Sequence, residues 1–127
     1  MKNIITLLFL ALSISVSAQK IELFNGKNLD NWELIVADEK VNPESIFSVS
    51  NGVINVTGST NGYLRTKEVY NNYQLHVEWH WTEKPTNSGV LLHVNGYSFW
   101  PNAIEAQLQD QHAGDIVLIG FGGSGII

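Results

Sequence analysis

From Tyr73 to Trp81 apolar and polar residues alternate without a break. Tyr73, Leu75, Val77, Trp79 and Trp81 share one parity, and Gln74, His76, Glu78 and His80 the other. A β-strand turns successive side chains to opposite faces, so this pattern predicts a strand with one apolar and one polar side. Neighbouring segments agree. Phe47–Val49 and Val53–Thr57 flank Asn51-Gly52, a strong hairpin signal between apolar runs. Gly89–Val94, Ala103–Leu108 and Asp115–Ile119 read as further strands, with Glu105 and Gln107 on one face of theirs. Turn residues separate these runs at Asn61-Gly62, Lys84-Pro85-Thr86-Asn87, Asn95-Gly96 and Trp100-Pro101-Asn102. The prediction is an antiparallel all-β sandwich or barrel. Charged residues make up only 15% of the chain and there are eleven glycines, a composition that argues against a helical bundle or coiled coil.

A net charge of -5 gives no electrostatic reason to approach nucleic acid or an anionic membrane surface. With no cysteine, disulfides, thiolate nucleophiles and Cys-ligated metals are excluded. Lys2, an apolar run from Ile4 to Leu12, and the small residues leading to Ala18-Gln19 follow the order of a secretory signal peptide. That run is too short to span a bilayer as a permanent helix. Residues 1–18 are therefore expected to be removed. The remaining chain is expected to be exported to the periplasm or secreted, with no membrane anchor.

A polar strand face normally turns to water, and that is the simplest reading of Gln74, His76, Glu78 and His80. Glu78 and Glu105, however, bring carboxylates from two segments, and Tyr63, Tyr97, Phe99 and Trp100 supply aromatic faces. Rings, carboxylates, amides and imidazoles together suit a sugar, whose C–H faces stack while its hydroxyls take directional hydrogen bonds. His76, Glu78 and His80 also stand at i, i+2 and i+4, so a divalent metal is the alternative use of that face, with His93 as a further ligand. No other cofactor is expected. His112 reads as an exposed loop residue. Gly120-Phe121-Gly122-Gly123-Ser124-Gly125 formally matches a dinucleotide fingerprint, but no helix or βαβ unit accompanies it. A glycine-rich turn between strands is the better reading.

Leu23-Phe24-Asn25-Gly26-Lys27-Asn28-Leu29 followed by Trp32 resembles the opening of the 3-keto-disaccharide hydrolase domain family. The resemblance continues in the family's order through Phe47-Ser48-Val49, Asn51-Gly52-Val53-Ile54 and Gly62-Tyr63-Leu64-Arg65-Thr66. It extends over Tyr73 to Trp79, Asn87-Ser88-Gly89-Val90 and Ile104-Glu105-Ala106-Gln107-Leu108. It implies a concanavalin-like jelly roll of exported bacterial proteins that degrade glycans. It also implies action on sugars oxidised to a ketone at carbon 3, with carbohydrate as the partner. Such a site needs a base, a group that stabilises an enolate, and an acid near the leaving oxygen. On this basis Glu105 is assigned the base role and Glu78 an acid or ligand-orienting role, with the exchange of the two nearly equivalent. Gln107, His80 and Asn87 would hold hydroxyls or the enolate, and Tyr63, Arg65 and Trp100 complete the substrate-binding set. Where the family often carries Arg after Glu-Trp or Glu-Phe, this chain has His80, so any anion stabilisation there would titrate near neutrality.

A jelly roll has about eight strands per two-sheet core, and the family domain normally continues beyond this length. Residues 19–127 are accordingly expected to form the N-terminal part of a sandwich, incomplete at its C-terminal end. Two functional alternatives accompany the enzyme reading: a noncatalytic carbohydrate-binding module on the same scaffold, and an inactive fragment.

Overall fold

A computed structural model describes residues 18–96, 99–120 and 125–126. Residues 1–17 of the expected signal peptide, Tyr97 and most of the glycine-rich run after Gly120 lie outside the described residues. Among the described residues eight strands follow in order: β1 (Trp32–Val36), β2 (Phe47–Ser50), β3 (Val53–Val56), β4 (Gly62–Thr66), β5 (Gly89–Asn95), β6 (Asn102–Gln107), β7 (Ile116–Ile119) and β8 (Gly125–Ile126). A 3-10 turn at Pro43–Ser45, capped by the Asn42 side chain, precedes β2. The strands form a β1-β4 pair, a β2-β3 pair and a four-stranded sheet in the order β5-β6-β7-β8. Every pairing is antiparallel. The all-β antiparallel class read from the sequence is borne out, and the arrangement is consistent with a β-sandwich.

The hairpin signal is realised as expected. Phe47 pairs with Val56 and Ser50 with Val53, so Asn51-Gly52 forms the whole loop. Asn51 and Gly52 have φ of 52° and 75°, the two positive values that a type I′ turn requires. Gly62 departs from the turn role expected of it, because it opens β4 opposite Val36. Its reason for being glycine is space. A Cβ there would stand 2.5 Å from the Ile35 carbonyl oxygen and 3.2 Å from Cζ of Phe47. Phe47, only 3% exposed, thus reaches β4 because Gly62 has no side chain, and with Ile46 it makes one centre of burial.

β6 is central to the four-stranded sheet, with Leu91↔Glu105 on the β5 side and Glu105↔Val117 on the β7 side. One face carries Val90, Leu92, Ile104, Ala106 and Leu118, all half-buried, together with Ile116. Ala103 and Val117, on the opposite face, are buried and form the second centre of burial. β5 loses its regular register between Leu92 and Asn95, around His93 with its φ of 51°. Arg65 Nη1 donates 3.2 Å to the Gly96 carbonyl and so ties β4 to the end of β5.

The strand predicted over Tyr73–Trp81 is not formed. That segment carries no strand assignment and no ladder among the described residues. Tyr73, Leu75, Val77 and Trp79 remain between 38% and 47% exposed. Alternation specifies which side chains would share a face, but a strand also needs a neighbouring edge to accept its amides and carbonyls. Ring contacts are seen instead: the Tyr73 ring lies 5.7 Å from that of His93, and Trp79 meets Trp81 edge-on at 5.8 Å.

Candidate functional site

Glu105 sits in the middle of β6, where the two-residue period gives it the same face as Ala103 and Gln107. The registers add Leu91 from β5 and Val117 from β7 to that face. None of these four neighbours titrates, and Ala103, Gln107 and Val117 are buried. Burial therefore disfavours the charged form and pushes the Glu105 carboxyl above its ordinary value. The carboxylate folds back over Gly89 of β5, close to where a Cβ would stand. Among the described residues it has no hydrogen-bond partner.

Gln107 shares the face but is committed in part to the backbone. Its Oε1 accepts from the Leu108 amide at 3.0 Å and the Gln109 amide at 3.1 Å, fixing the turn after β6. The Nε2 amine has no partner among the described residues and is the end of the side chain that can meet a ligand. Asn87 lies exposed in a loop pinned alongside. The carbonyls on either side of it, Thr86 and Ser88, accept from Asp110 at 3.0 Å and Leu108 at 2.8 Å. Glu105, Gln107 and the Asn87–Gly89 stretch are thus brought together at one end of the β5-β6 pair.

The other expected site residues are placed differently. Glu78 is exposed and bonds to His76 at 3.1 Å, and His80 is exposed. No hydrogen bond or ion pair among the described residues joins either Glu78 or His80 to Glu105. Among the described residues no three His, Cys, Asp or Glu side chains are grouped to hold a metal, so His76, Glu78 and His80 do not converge. Arg65 donates from Nε to Glu33 Oε2 at 2.7 Å, and its Nη2 reaches the same oxygen. Its guanidinium is therefore engaged in a cross-strand ion pair between β1 and β4. Tyr63 shares that face of β4, opposite Ile35. Trp100, 54% exposed, meets Phe99 edge-on with ring centroids 4.9 Å apart. His112 is an exposed loop residue as expected, 3.3 Å from Asp115.

Two features escaped the sequence reading. One is Gly89, which reads there as the start of an apolar strand and as part of a family block, with no role of its own. The other is Trp81, whose indole Nε1 is buried with no hydrogen-bond partner among the described residues. An orphaned donor of this kind costs about 1–3 kcal/mol, and alternation alone signals nothing of it. A groove of about 440 Å³ lies elsewhere, lined by residues that include Lys27, Asp30, Trp32, Phe47 and Lys67, and holds none of the expected site residues.

An all-β antiparallel scaffold carrying a half-buried carboxylate on a central strand is the class of protein these observations define. The model of the family described as the 3-keto-alpha-glucoside-1,2-lyase-like domain matches residues 19–125, and the chain belongs to that family. No curated relative and no solved structure matches the chain.

Proposed function

We propose that this protein cleaves 3-keto-glycosides by elimination across carbons 1 and 2 of the sugar, with Glu105 as the base. The observation that carries the reading is the half-buried Glu105 carboxylate, raised above its ordinary value by burial among the uncharged Leu91, Ala103, Gln107 and Val117. A desolvated carboxylate is a stronger base than one in water, as removal of a C–H proton requires. The 3-keto group acidifies the hydrogen on carbon 2, because the electron pair left behind delocalises onto the ketone oxygen as an enolate. Glu105 takes that proton. Collapse of the enolate expels the carbon 1 substituent, which leaves with a proton as the free alcohol, and an enone remains. Water then adds its hydroxyl at carbon 1, a proton returns to carbon 2, and the net result is hydrolysis to the 3-keto sugar.

This route avoids an oxocarbenium ion, so it does not need the fixed carboxylate spacing of ordinary glycosidases. Gln107 Nε2 and Asn87 stand beside Glu105 as donors to hydroxyls or the enolate oxygen. Glu78 and His80 enter the proposal as acid and orienting groups brought in with substrate, and Tyr63, Arg65 and Trp100 as outlying sugar contacts. The family's description as a 1,2-lyase supports the bond order of events, and the leader-like residues before Gln19 support export.

Aglycone release from a 3-keto-glucoside and from the matching unoxidised glucoside tests the proposal. Release from the keto sugar alone, abolished in a folded Glu105→Gln variant, is the expected result. Full activity of that variant would remove Glu105 from the base role, and binding without release would leave a carbohydrate-binding module.

A further inference from the structure

Gly89 is a residue whose presence the backbone does not explain. It lies in strand β5, opposite Gln107, and its φ is outside the left-handed region that favours glycine. Glycine weakens a strand interior, since it gives up more chain freedom than alanine and offers no side chain to pack. What a side chain would meet here is the Glu105 carboxylate. A Cβ on Gly89 would stand 2.5 Å from both Cγ and Cδ of Glu105, and closer still to Oε1. The three nearest atoms all belong to the movable part of one side chain. A larger residue would leave the sheet in place and force the carboxylate out of its seat.

We propose that Gly89 is a positioning residue for Glu105, its missing side chain forming the recess that holds the carboxylate down against the β5-β6 surface. This rests on Glu105 being the base, but the geometric claim can be tested apart from it. The seat is what makes the carboxylate half-buried. Leu91, Val117, Ala103 and Gln107, the residues around Glu105 on that face, carry no titratable group to compensate. A carboxylate displaced from the recess gains water, so its affinity for the proton falls toward the ordinary value. It also leaves its position by about an ångström, a displacement that can lower turnover by about a hundredfold when the displaced group does chemistry.

The test is Gly89→Ala, read by carbon NMR titration of the Glu105 carboxyl, which Glu105→Gln assigns by loss of its signal. Expected is a downward shift of that titration with an unchanged or slightly raised melting temperature. Release from a 3-keto-glucoside should lose kcat far more than it changes KM, and the acid limb of its pH profile should move down. An unmoved Glu105 titration in folded Gly89→Ala overturns the proposal. Should Gly89→Ala fail to fold, the pair Gly89→Ala with Glu105→Ala decides. The double variant must melt cooperatively, as Glu105→Ala alone does, and its failure to do so would place the conflict elsewhere and overturn the proposal. If the native chain releases nothing from the keto sugar, the base role fails, while the titration still decides whether Gly89 seats the carboxylate.

Discussion

Gln107→Ala separates a structural from a substrate role for the amide that shares the Glu105 face of β6. The native Oε1 accepts from two consecutive amides, at 3.0 and 3.1 Å, in a residue that is 9% exposed. Each such bond contributes about 0.5–1.5 kcal/mol net. The loss is not the simple sum, because the Leu108 amide keeps its 2.8 Å bond to the Ser88 carbonyl and the Gln109 amide lies at the surface, where water can replace the acceptor. A destabilisation of about 1–2 kcal/mol follows, and with about 4–8 °C per kcal/mol for a domain near this size, the melting temperature should fall by roughly 5–15 °C. Thermal melts and amide hydrogen exchange at Leu108 and Gln109 measure it, and exchange at both should quicken. Gln107→Glu keeps an acceptor and should recover much of the stability, while its charge pushes the Glu105 carboxyl further up. An unchanged melt and unchanged exchange in Gln107→Ala would refute the turn-fixing role and return the whole side chain to ligand binding.

Glu105 also sets a pH dependence of stability. Its folded carboxyl holds the proton more tightly than the unfolded one, so between the ordinary and the raised value the folded state binds more protons. Stability must then fall as pH rises through that window, and Glu105→Gln should flatten this part of a denaturant-melt series against pH. At the β2-β3 turn, Gly52→Ala forces a side chain into φ of 75° and should cost about 1–2 kcal/mol by chemical denaturation, whereas Asn51→Gly should be near neutral. Amides of Tyr73–Trp81, which lack ladder partners, should exchange far faster than those of Val90, Leu92 and Ile104 in the paired sheet. Equal protection would show that the segment is a paired strand.

What the sequence disclosed followed from local rules. Asn51-Gly52 located its hairpin because two adjacent positive φ values leave few residue choices, and the shared parity of Glu105 and Gln107 put both on one face. β1 and β4 went unread: Trp32–Val36 and Gly62–Thr66 are short and lack clean alternation, and Gly62 looked like a turn when its true constraint is the close approach of the Ile35 carbonyl and the Phe47 ring. The clearest alternation in the chain, Tyr73–Trp81, did not become a strand, since pairing depends on a neighbouring edge that no local pattern encodes. The site shows the same division. Glu105 was recognisable by type and family resemblance. Its seat over Gly89 and the Arg65–Glu33 pair depend on cross-strand registers between residues far apart in sequence.

A 3-keto-glucoside carrying deuterium at carbon 2 offers the most direct measurement of the central claim. If Glu105 removes that hydrogen, release of the aglycone shows a primary isotope effect, and the folded Glu105→Gln variant loses release altogether. Rapid release with no isotope effect, or equal release from the unoxidised glucoside, would contradict elimination and the base role together.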